Sequence, residues 1–214
     1  EEEVGEGCEE HKIATEIVEL CGRLPLTLAI AGGMLADSGQ GFTEDILEAM
    51  KDQQELEDEE GMTVETRVIS SSEKVMIKSA GKHKDLVLKV FHFFAVFPED
   101  VPVPAAFFNK VVPLLSVDKN EKKARLAVGT CLGTLLKYNL IKGSLSTGSG
   151  VFMHDIVRDY VIHQHSTDEL RVLQRSVVDV CLAARPEPKG FPSSERAVAG
   201  SFEGYLARQL YWHM

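Results

Sequence analysis

The amino-acid sequence predicts a mainly α-helical protein that contains one small β-hairpin. Apolar residues recur every three or four positions over most of the chain, which is the period of amphipathic helices. Two short apolar stretches, residues 140–141 and 151–152, instead flank a glycine- and serine-rich turn, as the strands of a hairpin do. With 44% apolar residues among 214, the chain can bury a sizeable core in one large domain or two small ones.

The first 60 residues predict a helical subdomain. Ile13, Ile17 and Leu20 line one face of a first helix. A second, largely buried helix is expected from Pro25, because proline suits the first helical turn. A short third helix is expected over 43–50.

The sequence indicates a junction after this subdomain. Residues 53–61 are mostly acidic and predict a solvated helix end or a loop. Between 61 and 81 the apolar residues form only two small groups, so this stretch is either a weak helix or a linker joining two units.

Residues 82–165 predict a winged-helix domain. Three helices followed by a hairpin is the order of that fold, and Leu126 is expected in the core of the third helix. A further helix should follow the hairpin at 155–165. The three helices are expected over 85–97, 105–115 and 122–138.

Residues 166–214 predict the start of a further helical region. One helix is expected over 167–184, a proline- and glycine-rich loop over 185–192, and a last helix over 201–214 whose packing partners are missing. The chain has no initiator methionine and stops abruptly after Tyr211-Trp212-His213-Met214. We therefore expect it to be part of a longer protein, with helical repeats downstream.

Charge and cysteine usage indicate a cytoplasmic protein. Residues 1–60 carry a net charge of −15 and residues 61–214 carry +5, so the acidic end argues against nucleic-acid binding there. Neither a membrane span nor a signal peptide is predicted. The four cysteines are scattered without metal-ligand spacing, and Cys21, Cys131 and Cys181 lie among apolar neighbours, as buried thiols do in a reducing compartment.

No motif for catalysis is present. The sequence has no P-loop, no dinucleotide-binding fingerprint, no nucleophile elbow and no His-Glu-x-x-His motif. His163 and His165 are two positions apart, so on a helix they point to different faces and do not predict a metal site. We therefore expect no enzymatic activity and no metal in this chain.

DNA binding is the second hypothesis for a winged helix. The third helix opens with four basic residues that could contact phosphate, but its middle has few side chains able to read base edges. The turn over 143–150 carries no basic residue, so DNA is not the expected partner. The four basic residues are Lys119, Lys122, Lys123 and Arg125.

His154 and Asp155 lie where the hairpin gives way to the next helix. The first turn of a helix has unpaired N–H groups and the positive end of the dipole, so it favours anions. A histidine there can donate a ring N–H to a phosphate. In the plainer interpretation, Asp155 caps a core helix and His154 is an ordinary half-exposed residue.

Residues 21–28, CGRLPLTL, and the triplet Met153-His154-Asp155 resemble motifs of one family. They are similar to the Gly-Leu-Pro-Leu and Met-His-Asp motifs of the NB-ARC class of signalling ATPases, which includes plant disease-resistance proteins and apoptotic protease activating factors. Between them, FFAVFPED at 93–100 resembles the family's segment near the start of its winged helix. The resemblance covers residues 10 to 165 and implies a helical ARC-like subdomain at 1–60.

The resemblance implies that the chain is the C-terminal part of a module that binds ADP or ATP. Leu24 and Pro25 would then lie on the adenine side, His154 would contact the β-phosphate, and Asp155 would steady the helix start. Arg23 departs from the family pattern, which has glycine there, and this leaves the backbone path at that position open.

The implied mechanism is a switch controlled by the nucleotide. With ADP bound, His154 would tie the winged helix to an upstream P-loop domain, and exchange for ATP would release the module to rotate and form homo-oligomers.

Overall fold

The computed structural model of the protein describes residues 9–38, 43–60, 62–116, 118–146, 150–183, 205 and 209. These residues are mainly helical and include one small antiparallel sheet, which confirms the predicted fold class. The chain divides into two compact units, Glu1–Lys84 with Lys137–Leu140, and Asp85–Leu136 with Ile141–Met214. None of the described helices is both long and apolar enough to cross a lipid bilayer.

The described residues of the first unit contain four helices whose apolar faces form its core. Ile13, Ile17 and Leu20 of the first helix are buried, as their spacing predicts. The third helix is longer than the predicted 43–50 and continues through the acidic stretch. The four helices are α1 (Glu9–Leu20), α2 (Pro25–Ser38), α3 (Thr43–Glu60) and α4 (Val64–Ser79).

Of the two interpretations of residues 61–81, a weak helix or a linker, the structure has a helix, α4, over Val64–Ser79. It packs against α2 and α3, and Thr63 caps its start by accepting the N–H of Thr66. The apolar period is weak here because α4 also buries polar side chains, namely Arg67, Ser71 and Ser72. The stretch is therefore a structural part of the first unit.

A short segment after the third helix of the predicted winged helix belongs to the first unit. The Tyr138 side chain is fully buried, its hydroxyl donates to Asp37, and it lies 3.0 Å from Ser79 Oγ. Asn139 Nδ2 donates to the Ala29 carbonyl at 2.8 Å. A Cβ at Gly33 would lie 2.6 Å from a carbonyl oxygen of this segment, so only glycine allows the close approach.

The second unit has the element order and strand order of a winged helix. Its three strands are antiparallel in the order β1-β3-β2, with Val103 opposite Val151 and Lys142 opposite Phe152. Two helices follow the sheet within residues 150–183. In chain order the elements are α5 (Lys84–Phe93), β1 (Val103–Pro104), α6 (Ala105–Leu115), α7 (Glu121–Lys137), β2 (Lys142–Gly143), β3 (Gly150–Phe152), α8 (Asp155–His163) and α9 (Thr167–Ala183).

The hairpin register differs from the prediction by two residues. Strand β2 begins at Lys142, whereas residues 140–141 are buried outside the sheet. Gly143 has φ of +106°, and a Cβ there would lie 2.1 Å from the Gly150 carbonyl oxygen, so the close strand pairing requires glycine. Strand β1 was not predicted, because two residues are too few to show an alternating pattern.

The prediction of a core position is wrong for one residue. Leu126 is 73% exposed, although the apolar spacing placed it inside. The face of α7 that packs inward lies on the other side of the helix and consists of Ala124, Val128, Cys131, Leu132 and Leu135.

An aromatic cluster forms the core of the second unit around Phe97. Tyr205 is 2% exposed, and its ring centroid lies 6.3 Å from that of Phe97 and 5.0 Å from that of Phe107. The expectation that residues 201–214 lack packing partners is therefore wrong at Tyr205. The rest of that predicted helix, apart from Gln209, lies outside the described residues, as does the loop predicted over 185–192.

Candidate functional site

The first candidate region is the junction between β3 and α8. His154 has extended backbone angles, φ of −63° and ψ of 144°, so it occupies the N-cap position, and Asp155 is the first helical residue. The Asp155 carboxylate nevertheless accepts the Ile156 N–H at 2.7 Å. The capping role predicted for Asp155 is thus shared, with the backbone of His154 as the cap and the side chain of Asp155 as the acceptor.

The hydrogen bonds at this junction orient the His154 ring. Its Nδ1 is in contact with Asp155 Oδ1 and lies 3.4 Å from the Ile156 nitrogen. One nitrogen cannot both donate to the carboxylate and accept from Ile156, and the Ile156 N–H already has its shorter bond to Asp155. Nδ1 therefore carries the hydrogen that Asp155 accepts, and Nε2 is the other ring nitrogen of a side chain that is 33% exposed. Nε2 can donate to an anion only when it is protonated as well, that is, when the ring is an imidazolium.

The charge at this junction differs from that of a helix start that simply binds anions. The Asp155 side chain is 51% exposed and already places a carboxylate at the positive end of α8. A bound anion would be repelled by that carboxylate, so any attraction has to come from the protonated ring, the imidazolium. The helix-dipole argument for an anion site is therefore weaker than the sequence indicated, and His154 becomes the decisive group.

Arg158 holds α8 in place and was not identified from the sequence. Its Nε donates to the Phe97 carbonyl at 2.7 Å, and its guanidinium lies 3.2 Å from Glu99. Its side chain is only 13% exposed. Because Arg158 follows His154 by four residues, both lie on one side of the helix start, and Arg158 ties that side to the 93–100 segment.

The second candidate region is the turn that joins α1 to α2. Gly22 and Arg23 both have left-handed backbone angles, with φ of +59° and +58°. The Gly22 N–H donates to the Glu19 carbonyl at 2.8 Å and the Arg23 N–H to that of Val18 at 3.2 Å, which is a Schellman motif. Arg23 thus adopts the conformation that glycine favours.

Side chains brace this turn from inside the first unit. The Thr27 hydroxyl lies 2.6 Å from the Cys21 carbonyl and 2.8 Å from that of Leu24. Arg67 donates to the Leu20 carbonyl at 3.1 Å, which places a cation at the negative end of α1. Burial raises the pKa of the Cys21 thiol, so this cysteine is an inert core residue.

Leu24 and Pro25 present apolar surface at the start of α2. Pro25 is exposed and Leu24 is 36% exposed, although the apolar composition of α2 predicted burial nearly all round. These two residues are neighbours in the first unit, and His154 and Asp155 are in contact in the second. Among the described residues, no group of three or more His, Cys, Asp or Glu side chains could hold a metal ion.

Comparison of the chain with protein-family models, with curated proteins and with solved structures returned no significant match. The described residues form a mainly helical protein with a small three-stranded antiparallel sheet and a histidine at the junction of β3 and α8.

Proposed function

We propose that this chain is the regulatory C-terminal part of an ADP/ATP-switched signal-transduction ATPase of the NB-ARC class, acting in defence or cell-death type signalling. The observation that carries the proposal is the placement of His154. It lies two residues after the strand β3, with Nδ1 engaged by Asp155, so that a protonated Nε2 would be the donor to a phosphate.

The turn at Leu24 and Pro25 supports the same function. Its two residues offer an exposed apolar surface of the kind that stacks on an adenine ring. Arg23 stands where the related motif has glycine, yet its φ of +58° keeps the glycine-like backbone path. The departure in sequence is therefore compatible with the motif.

In this proposal each of the two motifs would contribute a contact to the nucleotide of the parent protein. Leu24 and Pro25 would contact the base, His154 would contact the β-phosphate, and an upstream P-loop domain would supply the remaining phosphate contacts. The nucleotide contributes a change of charge and shape between its ADP and ATP states. The residues of this chain would bind and orient the nucleotide without a catalytic role, whereas the parent protein would be a slow ATPase.

The energy of one contact is sufficient for a switch. A hydrogen bond to a charged group contributes about 1.5–3 kcal/mol. Such a difference changes a two-state equilibrium by roughly ten- to a hundredfold. Loss of the His154 contact would therefore favour the open form, in which we expect the module to leave the P-loop domain and to form homo-oligomers in the cytoplasm.

The test is a pair of substitutions in the protein that contains the P-loop domain. We expect His154→Ala to speed ADP release by about tenfold or more. The matched control is His163→Ala, an exposed histidine at the other end of the same helix. Equal ADP release rates for the His154 variant and the parent protein contradict the proposal. We expect the isolated chain to bind ADP weakly or not at all, and a micromolar Kd in calorimetry would contradict that expectation.

A winged-helix DNA-binding regulator is the alternative function. The observation in its favour is the exposure of Lys122, Lys123 and Arg125 at the start of α7. Against it, Arg125 is paired with Glu121 on the same helix, and the described part of the wing turn has no basic residue. Duplex binding that weakens steeply with salt and is lost in a Lys122→Ala/Lys123→Ala variant would establish this alternative.

A further inference from the structure

Two histidines join α5 to the turn between α8 and α9. His92 lies in the last turn of α5, and His165 lies two residues beyond the end of α8. His92 Nδ1 and His165 Nε2 are 2.8 Å apart, and the two rings meet edge to face with centroids 4.8 Å apart. Both side chains are half-buried. The pair therefore connects two parts of the second unit that are 73 residues apart in the sequence.

This contact requires one proton between two facing nitrogens. A neutral imidazole has one N–H donor and one acceptor nitrogen, so one ring donates and the other accepts. When both rings are protonated, neither facing nitrogen can accept. The hydrogen bond is then replaced by the repulsion of two like charges at short range.

Glu169 is a second partner on the other side of the His165 ring. Its Oε2 lies 4.0 Å from His165 Nδ1. The same carboxylate oxygen accepts the backbone N–H and the hydroxyl of Ser166, each at 2.8 Å, and the Glu169 N–H lies 3.3 Å from Ser166 Oγ. This is a capping box that closes the start of α9.

Neighbouring groups keep Glu169 ionised over the pH range in which His165 gains a proton. Burial lowers the pKa of His165, His92 lowers it further, and Glu169 opposes both effects in part. Hydrogen bonds from Ser166 lower the pKa of Glu169, so its carboxylate remains ionised while His165 gains a proton. On α8 the nearby His163 directs its Nδ1 to the Asp159 carbonyl at 2.7 Å.

We propose that His92 and His165 form an acid-sensitive switch of the second unit, in which double protonation transfers His165 from His92 to Glu169 and loosens the first turn of α9. The direction of the pH dependence follows from the pKa of His165, which lies below its ordinary value of about 6.5. The contact between His92 and His165 stabilises the folded unit fully above pH about 6.5, and this contribution is lost as the pH falls through the folded-state pKa.

Hydrogen exchange of the full chain tests the switch. After correction for the intrinsic pH dependence of exchange, amides in the first turns of α9 should exchange about threefold faster or more at pH about 5 than at about 7.5. We expect His163→Gln to behave as the unsubstituted protein, and His165→Gln and His92→Gln to lose this acceleration. An acceleration that persists in His165→Gln overturns the proposal.

Nuclear magnetic resonance of the histidine rings is the second measurement, and it does not depend on the folding of a variant. We expect His165 to titrate below the ordinary histidine value, with its Nδ1 and Nε2 resonances reporting the change of partner. A titration midpoint at or above the ordinary value overturns the switch.

Discussion

The two motif regions of this protein reach their geometry by different means. The turn at Leu24 and Pro25 is defined by its backbone, because two left-handed residues and a Schellman motif set its path. The junction at His154 is defined by side chains, through Asp155 and Arg158. The path of the turn depends little on the exposed side chain of Arg23, whereas the junction depends on the side chains of Asp155 and Arg158.

The largest effect is expected where a buried cation braces the backbone-defined turn. Arg67 is 6% exposed and donates to the Leu20 carbonyl, so Arg67→Met leaves that carbonyl without its charged donor. We expect a loss of about 2–3 kcal/mol in the free energy of unfolding, measured in urea. The exposed Arg23→Met is the control, and an equal loss in both variants would show that Arg67 does not brace the turn.

The second-largest effect is expected at the side-chain-defined junction at His154. Arg158→Met removes the donor to the Phe97 carbonyl and the pairing with Glu99. We expect a loss of about 2 kcal/mol in unfolding free energy. Under the proposed function we also expect faster ADP release from the protein that contains the P-loop domain, since α8 carries His154. Arg171→Met, which removes a solvent-exposed ion pair with Asp168 on α9, should leave both quantities unchanged. Wild-type stability in the Arg158 variant would contradict the anchoring role.

A third prediction concerns the pH dependence of the first unit. Burial alone would raise the pKa of Asp37, but hydrogen bonds from Lys137, Tyr138 and Ser79 outweigh it and hold the pKa below its ordinary value. Asp37 therefore stabilises the first unit fully above pH about 3.9, and this contribution is lost as the pH falls through the folded-state pKa.

We expect Asp37→Asn to cost about 1 kcal/mol at neutral pH and to reduce the loss of stability below pH about 4 in urea titrations. The exposed Asp85 provides the control, because Asp85→Asn should retain the full acid sensitivity. An unchanged acid transition in the Asp37 variant would refute this role.

The smallest predicted effect is a gain in thermal stability. Arg23 is a non-glycine residue in a left-handed conformation, so Arg23→Gly relieves backbone strain, although it also removes an exposed ion pair with Glu19 and adds entropy to the unfolded chain. We expect Tm to rise by about 1–3 °C in calorimetry. Arg23→Ala tests the cause, because it removes the same ion pair without relieving the strain. A rise in Tm of equal size in both variants would refute the backbone explanation.

Sequence patterns predicted the helices well and the details of the sheet poorly. Helix α6 has the bounds that its apolar spacing predicts, and α7 differs by one residue at each end. Strand β2 was misplaced by two residues, because its position depends on the backbone contact between Gly143 and Gly150. Leu126 was misplaced because apolar spacing alone does not show which side of α7 has a partner.

The candidate site could be predicted only in its local part. His154 and Asp155 are neighbours in the sequence, so their contact at a helix start can be anticipated from capping rules. Arg158 could not be found in this way, because an arginine on an amphipathic helix usually faces solvent.

The sequence by itself determined the helical class, the order of the helices and the positions of the two motif regions, because helical period, proline and glycine act over a few residues. The tertiary structure decided which polar side chains meet over long distances in the sequence. Arg67 meets Leu20 across 47 residues, Arg158 meets Phe97 across 61, and Tyr138 meets Asp37 across 101. Such bonds depend on which faces pack together, and this is set by the burial of the whole chain rather than by any local stretch.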